Sequence, residues 1–103
     1  MSTSRSNAIA PSIVSVKDSR GEIPHGATTN ETSVILSGKA EKGQTVEVLD
    51  DKLSHGIVVV DAMENWTLRL TGLSVGLHRI KAKALYGAGD ESLPRDFTVV
   101  LKK

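Results

Sequence analysis

Between Asp61 and Ala84, apolar and polar side chains alternate in two runs that flank a glycine-bounded connection. Trp66, Leu68 and Leu70 fall on one parity and Thr67, Arg69 and Thr71 on the other, the period of two expected of a half-buried strand. After Thr71–Gly76 the alternation resumes, with His78, Ile80, Ala82 and Ala84 on one face and Arg79, Lys81 and Lys83 on the other. Glycine and Asx residues punctuate the rest of the chain at short intervals, leaving strand-length runs between them.

Those runs predict strands over Pro11–Lys17, Thr32–Ala40, Gln44–Leu49, Leu53–Asp61 and Arg95–Leu101, besides the two around Trp66 and Ile80. In the first, Ile13 and Val16 are the core anchors, and their odd spacing suggests a bulge. The other inward positions are Val34, Leu36 and Gly38, then Val46 and Val48, and finally Phe97, Val99 and Leu101. Ile57–Val60 is a β-branched run that should bury one face and expose the other modestly. Seven short strands with no helical periodicity predict an all-β, seven-stranded antiparallel Greek-key sandwich of the immunoglobulin-like type. Its core would be Trp66, Leu36, Val46, Val48, Leu68, Leu70, Ile80, Phe97 and Val99. An odd number of reversing strands brings the chain in at one end and out at the other.

Length and composition narrow the picture. With 103 residues the chain fits one domain, read as residues 11–103 behind a disordered linker at residues 1–10. Thirteen Lys and Arg against twelve Asp and Glu leave a net charge of +1, which provides no field to draw the chain to nucleic acid. No cysteine is present, so disulfides, thiolate nucleophiles and cysteine metal sites are excluded. The opening MSTSRSNAIA lacks the apolar stretch of a signal peptide, and Ile57–Val60 is far short of the roughly 20 residues that span a bilayer. Membrane insertion is not expected, and an export signal would lie outside this sequence.

A wider pattern joins these pieces. Thr28-Thr29-Asn30-Glu31-Thr32 leads into Leu36-Ser37-Gly38-Lys39-Ala40 and then Gly43, Val46, Val48 and Asp50. Gly56, Asp61, Asn65-Trp66, Leu68, Leu70, Leu73, Gly76, His78, Ile80, Ala82 and Ala84 follow. Gly87-Ala88-Gly89-Asp90-Glu91-Ser92 and Phe97-Thr98-Val99 close the series. Together they resemble the bacterial immunoglobulin-like repeats of large surface adhesins and biofilm-associated proteins, over Pro11 to about Leu101. The departures are Tyr86 where such repeats usually have Asp, Asp90 where they have Asn, and Glu64 in place of the common Gly before Asn65-Trp66.

Candidate chemistry is sparse. Asp50, Asp51, Asp61 and Asp90 are loop carboxylates of the hard-oxygen type that calcium prefers, at a junction between repeats if anywhere. None forms a spaced calcium loop, and solvated turns are the favoured reading. His25 and His55 sit in predicted turns, while His78 faces inward as a hydrogen-bonded structural imidazole. No nucleophile elbow or phosphate loop occurs, so no catalysis and no cofactor other than that calcium is expected. Arg69, Arg79, Lys81 and Lys83 form a solvated outer face that discourages sheet-to-sheet association. Tyr86 is the one aromatic ring expected to be free to stack on a sugar.

The resemblance implies a non-enzymatic spacer module of a large exported or cell-surface bacterial protein that supports adhesion or biofilm formation. Its partners would be neighbouring repeats of the same polypeptide, and surface polysaccharide or a host protein at a further remove; the isolated domain should be a monomer. The alternatives are a ligand-binding module working through Asp50–Gly56 and Tyr86–Glu91, and an accessory domain of a secreted enzyme or toxin.

Overall fold

Nine strands make up the architecture of residues 9–101, the part of the chain that the computed structural model describes, and no helix occurs among them. They are β1 (Ser12–Asp18), β2 (Gly21–Glu22), β3 (Thr28–Thr29), β4 (Val34–Lys39), β5 (Thr45–Asp50), β6 (Leu53–Val59), β7 (Asn65–Leu70), β8 (Gly76–Ala84) and β9 (Arg95–Val99). One sheet has the order β2-β1-β4-β7 and the other β3-β9-β8-β5-β6. Every pairing is antiparallel except that of β3 with β9. The seven expected strands are all present, with ends shifted by at most two residues. The additional pair, β2 and β3, are two residues long and too short to leave a periodic signature. All but the last two residues of the predicted linker lie outside the described residues; Ile9 and Ala10 lie within them.

Period-two alternation fills the space between the sheets. Val16, Val34, Leu36, Val46, Val48, Trp66, Leu70, Ile80, Ala82, Phe97 and Val99 are all buried, and Ile23, Ala40, Val60 and Leu73 from the connections join the same cluster. Leu68 is partly buried against it. The odd spacing of Ile13 and Val16 coincides with a register shift between Ile13 and Ser15 where β1 pairs with β4. Trp66 stands directly opposite Gly38 in the β4–β7 ladder. A Cβ at position 38 would lie 2.6 Å from the indole Cζ2 and 2.0 Å from the Ser12 carbonyl oxygen, so the glycine leaves the room that the ring fills. The indole Nε1 donates to the Lys39 carbonyl at 3.1 Å, which fixes the ring along the strand.

Two expectations at the edges need correction. Leu101 is 75% exposed, because β9 ends at Val99. In the run Ile57–Val60, Ile57 is 60% and Val59 64% exposed. Both belong to β6, the edge strand of the five-stranded sheet, whose outward face meets no second layer. Val60 is buried and Val58 partly buried, so the parity is as expected while the exposure is not modest. A bulge at His55–Gly56, where β6 supplies two residues opposite Val48, bends this edge and interrupts the ladder it offers to another strand.

Register also fixes where the chain enters and leaves. Ser12 at the start of β1 lies beside Lys39 and, through it, Asn65, whereas Val99 at the end of β9 lies beside Gly76. Because β7 begins at Asn65 and β8 begins at Gly76 after the connection from Leu70, these are opposite ends of the sandwich. They are called proximal (entering) and distal (leaving) below.

Candidate functional site at the two ends of the sandwich

At the proximal end, the segment entering the domain is tied to two loops. The Tyr86 hydroxyl donates to the Ile9 carbonyl and accepts from the Glu41 amide at 3.1 Å. The Ile9 amide in turn donates to Glu41 Oε1 at 2.9 Å. Tyr86 is therefore half-buried against the core rather than free to stack on a sugar, which corrects the expectation for this ring. A phenol suits the position because one hydroxyl can accept and donate at once. The nearby turn before β7 is organised by Asp61, whose Oδ1 accepts from the amides of Met63 and Asn65 at 2.9 Å each. Glu64 in that turn has φ +69°, the left-handed conformation that the usual glycine of similar repeats would adopt without strain.

Toward the distal end, a polar network joins the β1–β2 turn to the β3–β4 connection. Asp18 accepts from the buried Thr29 hydroxyl at 2.7 Å and from the Arg20 amide at 2.8 Å. The Thr29 bond is the chief reason that the Asp18 carboxyl titrates below its ordinary value. Glu31 accepts from both the amide and the hydroxyl of Ser19, and these bonds lower its pKa as well. Beside the network lies an open hollow of about 520 Å³ bordered by Asn30, Glu31, Val75, Val100 and Leu101.

His78, near the start of β8, is held within the sandwich. Its Nδ1 meets Asp50 and its Nε2 meets the Ser74 carbonyl at 2.7 Å. The ring stacks on Phe97 with centroids 5.4 Å apart. Asp50 Oδ1 also accepts from the Arg79 amide at 3.2 Å. The inward parity of His78 signalled a structural imidazole, and the fold supplies its partners.

The sequence candidates are dispersed. Asp50 and Asp51 close the β5–β6 turn on the distal side, while Asp61 and Asp90 lie in proximal loops, Asp90 exposed. Among the described residues no group of three or more His, Asp or Glu side chains is gathered that could hold a metal ion. The two loops proposed for recognition, Asp50–Gly56 and Tyr86–Glu91, follow strands that run in opposite directions and so do not form one surface. Arg69 is on the four-stranded sheet, and Arg79, Lys81 and Lys83 are on the other. Sequence reasoning missed Arg95. Its parity matches that of Phe97 and Val99, so an inward-pointing charge at the start of a strand was the available signal.

Arg95 spans the two sheets. Its Nη2 donates to the Ile23 carbonyl at 2.9 Å and to Glu22 Oε2 at 2.5 Å, and its Nη1 reaches the Val14 carbonyl at 3.4 Å. Burial works against the charge of Glu22, but the bond and charge of Arg95 prevail and its pKa is lowered.

No family model matches this sequence, and no curated protein matches it at a significant level. Solved structures do resemble it. The fibronectin(III)-like modules of CbhA from Clostridium thermocellum superpose with a TM-score of 0.60 at 19% identity, over 90% of this chain and 98% of that one. CopC from Methylosinus trichosporium OB3b gives 0.53 at 16% identity, over 90% and 96%. A BSP domain of a biofilm-associated protein gives 0.50 at 23% identity, over 96% of this chain and 15% of that much longer one. At such identities the likeness concerns the fold, which is the all-β, immunoglobulin-like sandwich expected from the strand pattern.

Proposed function

We propose that this domain is a non-enzymatic spacer in a large exported or cell-surface bacterial protein, where it holds an adhesive or matrix-forming partner away from the cell. The observation that carries the reading is the placement of the two chain ends. The polypeptide enters beside Lys39 and leaves beside Gly76, so copies joined in series extend rather than fold back. The tie from Ile9 to Tyr86 and Glu41 supports it, because a linker bonded to the body transmits direction better than a free one. The likeness to a segment making up 15% of a biofilm-associated protein fits a module used within a longer chain. Neighbouring domains of the same polypeptide are its partners in this reading.

Surface display tests it. One, two and four copies are placed between a membrane anchor and an epitope on a bacterial surface, and the height of the epitope is measured by fluorescence quenching from the membrane. A constant increment per copy is expected. Heights that stop increasing after the first copy would refute an extended array. A glycan array probed with the isolated domain distinguishes the ligand-binding alternative, for which a specific saturable signal is required.

A further inference from the structure

We infer that the domain carries a tension-bearing clamp between its first and last strands, with Arg95 as the side chain that bolts them together. The inference rests on the spacer reading only for its biological use, since the clamp itself follows from topology. Pulling the two chain ends apart draws β1 toward the proximal side and β9 toward the distal side. The strands lie along that axis and ladder hydrogen bonds lie across it, so the load shears many bonds together instead of peeling them singly.

The residues that join the opening segment to β9 are few and specific. The Gly26 amide donates to the Asp96 carbonyl at 2.7 Å, the Thr98 amide to Ala27 at 3.0 Å and the Val100 amide to Thr29 at 2.8 Å. His25 Nδ1 accepts from the Asp96 amide at 3.1 Å. These bonds belong to the parallel β3–β9 pairing and the segment before it. Arg95 adds a link of another kind. It stands on β9, yet its guanidinium bonds the carbonyl of Val14 on β1 and the carbonyl of Ile23 just after β2. It thereby connects, through its own side chain, the two strands on which end-to-end tension acts.

A planar guanidinium with several fixed donors can hold the carbonyls and a carboxylate together, and a lysine ammonium cannot reproduce that geometry. The Nε of Arg95 is buried without a partner, so its terminal nitrogens carry the whole connection. Glu22 keeps the guanidinium charge compensated where Arg95 is only 14% exposed.

Single-molecule pulling of the full chain tests this, because the sequence has no cysteine to compete with engineered attachment points. Forced unfolding reports the unfolding rate. With handles on the two chain ends, Arg95→Ala is expected to raise the unfolding rate at constant force by about tenfold, as loss of charge-assisted bonds implies. Arg95→Lys should give most of that increase, and it serves alone if Arg95→Ala does not fold. With one handle at Lys52→Cys in the β5–β6 turn and the other at the C-terminus, β9 peels from Val99 downward and the first rupture should not respond to either substitution. An unchanged rate in the end-to-end geometry, or the same acceleration in both geometries, would overturn the clamp. Epitope height in the display assay does not depend on rupture strength, so the spacer reading and the clamp fail separately.

Discussion

Replacing Asp50 by asparagine probes the charge state of the enclosed His78 ring. Only 5% of His78 is exposed, and its two ring nitrogens face the Asp50 carboxylate and the Ser74 carbonyl. Both partners accept and neither donates, so both nitrogens must carry protons, which makes the bound form an imidazolium. Burial alone favours the neutral ring, but the Asp50 bond, the Ser74 carbonyl and the Asp50 charge outweigh it and raise the His78 pKa above its ordinary 6.5. A group whose folded pKa is raised contributes its full stabilisation below the unfolded value and loses it as pH climbs through the folded one. In Asp50→Asn the amide can donate to a neutral ring and still accept from the Arg79 amide. A charge-assisted bond of about 1.5–3 kcal/mol becomes a neutral one of about 0.5–1.5 kcal/mol, a loss of about 1–2 kcal/mol in acid. Arg79 and Asp51 are common to both proteins, and His55, whose Nε2 lies 4.0 Å from the same carboxylate, is replaced by Gln in both so that it does not contribute. Urea unfolding followed by the fluorescence of the one tryptophan, from about pH 5.5 to about pH 9, gives the difference directly. The gap between parent and variant should close as pH rises. A gap that is constant or widens would show that His78 is neutral in the fold.

Four other substitutions examine the packing and the turns. Gly38→Ala should cost about 3 kcal/mol or more in chemical denaturation, since its Cβ would overlap the Ser12 carbonyl as well as the indole and only a backbone shift relieves that. Trp66→Ala should cost about 3–5 kcal/mol by the same measurement; a loss below about 1 kcal/mol would contradict the burial of the ring. Glu64→Gly should raise the stability by about 0.5–1 kcal/mol, because relief of the left-handed strain exceeds the entropy that glycine adds to the unfolded chain. Tyr86→Phe should cost about 1 kcal/mol and speed hydrogen exchange at the Glu41 amide, which loses its acceptor.

Where the sequence was legible, adjacent residues carried the signal. Trp66, Leu70, Ile80 and Phe97 declare their faces by alternation alone, and the irregular spacing of Ile13 and Val16 announced the break in β1. Glu64 was visible as a residue standing where a glycine is customary, and its positive φ gives that departure a physical meaning. What stayed hidden depends on partners remote in the chain. Tyr86 read as a free aromatic because its hydroxyl partner, Ile9, is 77 residues away. Arg95 read as a strand boundary because Val14 is 81 residues away. Local periodicity states which way a side chain points, but it cannot state which loop or sheet arrives at that place. The β2 and β3 strands escaped for a related reason, since two residues show no period and their pairing exists only once β1 and β9 are in position.

The same long-range ties bear on how the ends of the domain behave. Chain termini ordinarily fray first, because few buried contacts hold them and their backbone bonds are exposed. Here the opening segment is bonded at Ile9 to Tyr86 and Glu41, at Val14 and Ile23 to Arg95, and at Gly26, Ala27 and Thr29 to the last strand. All of these ties but the Ile9–Glu41 bond span most of the sequence, so they cannot be kept while the body of the sandwich opens. The segments that would fray in an ordinary domain are thereby coupled to the global transition. A chain without disulfides obtains in this way some of the end-to-end connection that a covalent bridge would give, through groups that re-form after each release. The coupling has a measurable form: the amides of Gly26, Thr98 and Val100 should exchange only through global unfolding, with free energies equal to that of the whole domain. If these amides instead exchanged well below the global value while those of Val46 and Ile80 did not, the terminal strands would be opening on their own, and the load path from β1 to β9 would lack a foundation.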